Sequence, residues 1–238
     1  MSTILITGAN RGIGLEHTKQ ALDAGETVIA TCRKPEEATE LASLAEKHAS
    51  NLKIEELDVT CCESVCALVG RLDGAAIDVL INNAGTAGDK SWDPDADKQS
   101  LGSIDYGQWR WILDVNLLGA MRVTEALAEN VAASDKKQII MISSGLASIA
   151  HNTMGGSHLY RTSKAALNML AKGVANDLAD RGITTVALSP GWTKTDMGGE
   201  AAHWTVEDSV THQRHVIAGL SFADNGKFYE LQGDEVPW

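Results

Sequence analysis

With 238 residues, 44% of them hydrophobic and 22% charged, the chain is long enough to bury a sizeable core as one α/β domain. Its formal net charge of −12, from 32 acidic and 20 basic residues, excludes the basic stripe of a nucleic-acid surface, though not a local basic pocket for a phosphate. It contains no run of 18 apolar residues to span a membrane, and the start MSTILITGAN has no basic n-region or cleavage-like site, so a cytoplasmic protein with no membrane or nucleic-acid partner is expected.

Strand and helix patterns alternate along the chain. TILIT is a short β-branched run, and residues 12–24 follow with helical spacing. TVIATC predicts a second strand, and PEEATELASLAEKHA an amphipathic helix with Pro35 in its first turn. LKIEELDV, a helix over 62–73 and AIDVLINNAG continue the series. A long helical region over 106–133 leads into QIIMISS, and a second over 158–181 into ITTVALSPG, with a late strand in GKFYELQ. Strands separated by helices and apolar throughout predict a single doubly wound parallel sheet of Rossmann type, with helices on both faces and one domain over residues 1–238. The polar stretch 86–105 reads as a surface insertion before the first long helix. Three of the four cysteines lie in CCESVC, with no histidine nearby in sequence, and read as reduced thiols at a helix start, so no metal is expected.

The first strand runs into TGANRGIG, which carries Gly8, Asn10, Arg11, Gly12, Ile13 and Gly14 just ahead of a helix. Glycines there let the backbone approach a pyrophosphate, and the helix N-terminus attracts its charge. Alone such a loop is also a tight turn, but its place between strand and helix points to a dinucleotide. An NAD site usually has an acid at the end of the second strand for the ribose hydroxyls. Here Thr31, Cys32 and Arg33 stand there instead. Arg33 and Arg11 together suit a 2′-phosphate, so NADP(H) is the expected cofactor. Asp58, with Val59 after it, is placed to meet the adenine amino group, and Asn83, Ala84 and Gly85 to lie against the adenosine ribose.

Lys164 follows Tyr160 by four residues at the start of the second long helix, which stacks the two side chains on one face. A cation one turn away favours a phenolate and lowers the phenol pKa from about 10. The spacing alone is weak, because Tyr106 and Arg110 repeat it, but only Tyr160 follows a strand ending in ISS. Tyr106 is expected to cap or pack beneath the first long helix.

TGANRGIG, NNAG, VNLLG, ISSGLAS, YRTSK and SPGWTKT occur in that order, and with them the chain resembles the short-chain dehydrogenase/reductase family over nearly its whole length. YRTSKAALNML and the ending GKFYELQGDEVPW are most similar to sniffer-type carbonyl reductases and the C-factor group. The resemblance implies a catalytic set of Asn116, Ser144, Tyr160 and Lys164. Ser144 and Tyr160 would face a substrate carbonyl oxygen, Tyr160 as general acid/base, while Lys164 also holds the nicotinamide ribose and Asn116 positions a water. In the stretch from Pro190 and Gly191 onward, Thr193 would meet the nicotinamide carboxamide, and Thr195 the carboxamide or a phosphate. His151, Met154, Trp192 and Met197 are candidates for the substrate wall, with plain packing as the competing reading.

Fifteen residues separate Ser144 from Tyr160, where the family more often has twelve, and the excess in SIAHNTMGGSH reshapes the pocket. The expected function is NADP-dependent reduction of a small-molecule carbonyl, or oxidation of the alcohol, in a homodimer or homotetramer. The alternatives are a 3-oxoacyl thioester reductase, a nucleotide-binding signalling protein like C-factor, and a dimer scaffold that keeps its cofactor for stability.

Overall fold

The computed structural model describes residues 2–88 and 99–238. Within these, β1 (Thr3–Thr7), β2 (Thr27–Cys32), β3 (Leu52–Glu56), β4 (Val79–Asn82), β5 (Gln138–Ile142), β6 (Thr184–Ser189) and β7 (Phe228–Glu230) form one sheet. Its order is β3-β2-β1-β4-β5-β6-β7, and every neighbouring pair is parallel. The helices are α1 (Gly12–Asp23), α2 (Thr39–Lys47), α3 (Cys62–Leu72), α4 (Tyr106–Leu113), α5 (Ala120–Ala132), α6 (His158–Asp177) and α7 (Val206–Gly219). None is long and apolar enough to cross a membrane.

Successive strand residues point to opposite faces, and both faces are covered. Ile4, Ile6, Val28, Ala30, Val79, Ile81, Val186 and Leu188 pack beneath Leu15 and Leu22 of α1, Leu41 of α2 and Ile217 of α7. Leu5, Ile29, Leu80, Ile139, Met141 and Ala187 face the other layer, where α3, α5 and α6 contribute Leu68, Leu127 and Leu167. This is why the strands read as unbroken apolar runs. Each fully buried Leu or Ile contributes about 1.5–3 kcal/mol.

The helices depart locally from the periodicity. Pro35 opens a separate 3₁₀ turn (Pro35–Glu37), because Ala38, buried in the core, leaves helical geometry at φ −87° and ψ 68°. The region 106–133 is helical throughout but carries a π turn (Asp114–Gly119) between α4 and α5. Asp105 caps α4, its carboxylate accepting from the Gly107 and Gln108 amides at 2.8 and 3.0 Å. Tyr106, expected to cap or to pack below, does neither: it is 64% exposed and its ring stacks on Trp109. The second long helix ends at Asp177, and a 3₁₀ turn (Ala179–Arg181) follows. Half of the expected insertion at 86–105, residues 89–98, lies outside the described residues.

The chain runs outward from β1 to β2 and β3, and outward again from β4 to β7. The carboxyl ends of β1 and β4 therefore flank the switch point at which open α/β sheets bind their ligands.

One ionisable residue sits deep in the α1 layer. His17 is 0% exposed, and burial holds its imidazole down at about 4, against an opposing Gln213 hydrogen bond and with help from the Arg214 charge. Glu26, paired with Arg214 at 2.7 Å, and Lys136 line the same small cavity. The unfolded imidazole, near 6.5, binds more protons than the folded one between these values. The stability it confers is therefore complete above about pH 6.5 and lost as pH falls toward 4. Thermal melts are expected to show about 2 kcal/mol less stability at pH 5 than at pH 7 from this residue, a loss that His17→Gln removes.

Candidate active site

The crevice begins at Thr7, the last residue of β1. Its hydroxyl accepts from the amides of Asn83 and Ala84 at 3.0 and 2.9 Å, and the Asn83 side chain donates to the carbonyls of Thr7 and Gly8 at 2.8 and 3.2 Å. The expected adenosine-side segment thus lies directly against the glycine loop. Gly8 turns at φ +65°, and a Cβ on it would stand 3.0 Å from the Ala84 Cα. A Cβ on Gly14 would stand 2.4 Å from the Gly8 carbonyl oxygen. The opposite rim is Thr195, whose methyl lies 3.5 Å from the Cβ position of Gly12. Asn10 and Ile13 lie within this same turn and the start of α1.

Three groups surround the end of β2 and β3. Arg33 is exposed, and no carboxylate stands at Thr31, Cys32 or Arg33. Burial works to raise the Asp58 carboxyl, yet it is held below the usual carboxylate range by the Thr60 hydroxyl and amide, at 2.7 and 2.9 Å, and by the Arg33 and Arg122 charges. Arg122 escaped the sequence reading. It pairs with Asp114 at 2.8 Å and reaches the Val59 carbonyl at 3.4 Å, and only the packing of α5 beside α3 brings it there. Arg11, expected at a 2′-phosphate, bonds to Asp196 at 2.7 Å, with both side chains more than 60% exposed, so solvent screens the pair and it is readily exchanged.

Three chain segments bring the four expected catalytic residues together. Ser144 caps the 3₁₀ turn (Gly145–Ala147), its hydroxyl accepting from the Leu146 amide at 3.2 Å, and lies beside the Tyr160 phenol. The start of α6 is tied down by Gln99, which receives the amides of His158 and Tyr160 and donates to the Ala87 carbonyl. Lys164, 4% exposed, donates to the Ile142 carbonyl at 2.8 Å and lies 5.9 Å from the Tyr160 ring centroid. A Cβ on Gly85 would be 3.4 Å from both Lys164 Nζ and Asn116 Oδ1, so the bare glycine keeps the space between them open.

The electrostatics differ from the expectation. Burial pushes the Tyr160 phenol above its ordinary value, against the opposing influence of the nearby Ser144 hydroxyl, and lowers Lys164 to about 8. Desolvation outweighs the attraction expected from the cation, which is directed at the Ile142 carbonyl. Asn116, in the π turn, accepts from the Thr86 amide at 2.8 Å and donates to the Thr86 carbonyl and the Ser163 hydroxyl at 2.8 and 3.0 Å. Both N–H groups of its side chain are committed within the protein, and it clamps the chain leaving β4.

After β6, Gly191 turns at φ +68° between Leu231 and Trp204. Thr193 is buried and donates to the Pro190 carbonyl at 2.8 Å, while Thr195 accepts from the amides of Met197 and Gly198. Of the expected substrate wall, His151, Met154 and Trp192 are exposed and Met197 half-buried. Trp192 is held by a bond to the Gly198 carbonyl at 2.9 Å. Glu230 was also missed. Its carboxylate approaches to 3.0 Å of the Cβ position of Gly145, and burial pushes it up, against a Ser189 hydrogen bond. Among the described residues no three His, Cys, Asp or Glu side chains cluster to hold a metal.

Residues 2–206 match the model of the short chain dehydrogenase family. The chain belongs to this family. C-signal from Myxococcus xanthus is 41% identical over 162 residues, spanning 68% of this chain and 93% of that relative. The carbonyl reductase Sniffer of D. melanogaster has the same fold, with a TM-score of 0.89 at 34% identity over 100% of both chains. The NADPH-bound carbonyl reductase from chicken fatty liver aligns with a TM-score of 0.88 at 34% identity, over 100% of this chain and 99% of that one. The resemblance to sniffer-type reductases and the C-factor group is thereby upheld.

Since a Cβ on Gly14 has no room beside the Gly8 carbonyl, Gly14→Ala is expected to cost about 1–3 kcal/mol and lower the melting temperature by roughly 3–10 °C. Gly25→Ala, at a glycine with open space around it, separates the clash from backbone strain, since its cost arises only from φ +78°.

Proposed function

We propose that this short chain dehydrogenase reduces a carbonyl (ketone, aldehyde, diketone or quinone) to an alcohol, or runs the reverse reaction, with NADP(H). The observation that carries the reading is the buried Lys164 side chain, 5.9 Å from the Tyr160 ring centroid and with Ser144 beside the phenol, at the edge of a glycine-lined crevice. The residues fit a dinucleotide: Gly8, Gly14 and Gly85 leave backbone or open space where side chains would intrude, and α1 directs its N-terminus at the loop. Arg33 and the exchangeable Arg11, with no acid after β2, favour a 2′-phosphate. The NADPH bound to the chicken carbonyl reductase supports the same choice.

When bound, the nicotinamide supplies the hydride. The protein's part concerns the substrate oxygen. Ser144 and Tyr160 hydrogen-bond to it, stabilise the charge that develops there, and Tyr160 gives up its proton to form the alcohol. A phenol pushed upward by burial stays protonated at neutral pH, which suits a donor in the direction of reduction. The Lys164 ammonium, within 5.9 Å of the ring centroid, steadies the phenolate left behind. Asn116 holds Thr86 and so the floor of the crevice. A second reading, a signalling role, draws support from the 41% identity with C-signal, and does not require a complete Ser144–Tyr160–Lys164 set.

Absorbance assays with a panel of ketones, aldehydes, diketones, quinones and one acyl thioester test the proposal. Turnover with NADPH is expected to exceed that with NADH by at least about tenfold. It should drop by about 10²–10⁴ in Tyr160→Phe while NADPH binding persists. No difference between the two proteins on any substrate would turn attention to the signalling reading. The reducing form needs the Tyr160 proton and the Lys164 charge, so kcat/KM is expected to fall as pH rises past about 8, where Lys164 becomes neutral. A profile flat to pH 9.5 would remove Lys164 from the mechanism.

A further inference from the structure

A chain of buried polar side chains that the proposed chemistry does not use joins the two rims of the crevice. It starts on α1, the helix that carries the glycine loop. His17 Nε2 lies 3.1 Å from Gln213 Oε1 on α7. Gln213 Nε2 donates to the Ser209 hydroxyl at 2.9 Å, one helical turn away. Ser209 donates to the Pro190 carbonyl at 2.7 Å and lies 3.1 Å from the Thr193 hydroxyl, which itself donates to the same carbonyl. His17, Gln213 and Ser209 are 0% exposed and Thr193 is 4% exposed.

The polarity of the chain runs one way. With the Ser209 hydrogen on the Pro190 carbonyl, Ser209 accepts from Gln213, and the amide therefore turns its oxygen toward His17. The neutral imidazole then donates from Nε2 and leaves Nδ1, which has no partner. Burying four polar groups in this layer is costly unless their geometry is satisfied, and a satisfied chain holds its members in one arrangement. The last member is the Pro190–Thr193 turn. There Gly191 has φ +68°, and Thr193 pairs with Trp204 as an isolated bridge. Gln20 of α1 also bonds to α7, donating to the Glu207 carbonyl at 3.1 Å and accepting from the Thr211 hydroxyl at 3.3 Å, but both contacts lie on the exposed side.

We infer that His17, Gln213 and Ser209 are positioning residues for the nicotinamide end of the cofactor, fixing the Pro190–Thr193 turn relative to the glycine loop. This rests on the dinucleotide reading of the crevice. The adenosine end is built from different parts: Asp58, Arg33 and the segment Asn83–Gly85, none of which the chain touches. Breaking the chain therefore loosens only one half of the cofactor.

The test titrates NADPH and 2′,5′-ADP, which lacks the nicotinamide half, against the unaltered protein, Gln213→Leu and Ser209→Ala. Ser209→Ala removes one hydroxyl and is the variant least able to disturb folding. Expected is a weakening of NADPH by about tenfold in either variant, with 2′,5′-ADP affinity within about twofold, and a fall in kcat. His17→Gln, which keeps a donor near the position of Nε2, should bind NADPH within about twofold of the unaltered protein, whereas His17→Leu should not. Equal weakening of both ligands, or no change in either, overturns the inference. Failure of the unaltered protein to bind either ligand overturns the cofactor reading instead.

Discussion

The adjacency of β1 and β4, sealed by Thr7, is the constraint on which the rest of the site depends. One hydroxyl accepts the amides of Asn83 and Ala84, and the Asn83 side chain returns two bonds to the end of β1. These bonds pin the exits of two strands that are distant in sequence, Thr7 and Ile81 lying 74 residues apart. With the exits fixed, the glycine loop must turn tightly and pack without side chains, which is the role of Gly8 and Gly14. Gly85 then opens toward Lys164 and Asn116. The crevice is the consequence of a sheet whose connections reverse at this point.

Burial is the second organising force, and it acts oppositely on the two groups of the catalytic pair. It raises the Tyr160 phenol and lowers the Lys164 ammonium, so each moves toward its neutral form. The same desolvation strengthens every dipole directed at a reacting oxygen. The π turn at Asp114–Gly119 belongs to this arrangement, since it sets Asn116 between Thr86 and Ser163 and thereby links α5, the chain after β4 and α6. Three of the four expected catalytic side chains are thus held by contacts to main-chain groups: Ser144 by Leu146, Lys164 by Ile142 and Asn116 by Thr86.

Much of this was legible beforehand. The strands were visible because doubly buried strands must be apolar at both parities, and the glycine loop because its spacing sits between a strand and a helix. Tyr160 was distinguishable from Tyr106 by the strand ending before it. Other features carried no linear signal. Ala38 breaks a helix that periodicity would continue. Arg122 lies on α5 with an ordinary exposed-helix neighbourhood in sequence, yet reaches Val59 and Asp114. Glu230 comes near Gly145 only because β7 closes beside β6.

Local chemistry is what the sequence alone determined: alternation of strand and helix, glycines where backbone must approach backbone, and a phenol and an amine one turn apart. These depend on residues near one another along the chain, so the pattern is read directly. The tertiary structure decided everything that requires two distant segments to meet. It turned Arg11 toward Asp196, committed Asn116 to Thr86, directed Lys164 at the Ile142 carbonyl, and joined His17 to Thr193 through Gln213 and Ser209. It also set the sign of the Tyr160 shift, because desolvation is a property of what surrounds a group and not of its neighbours in sequence.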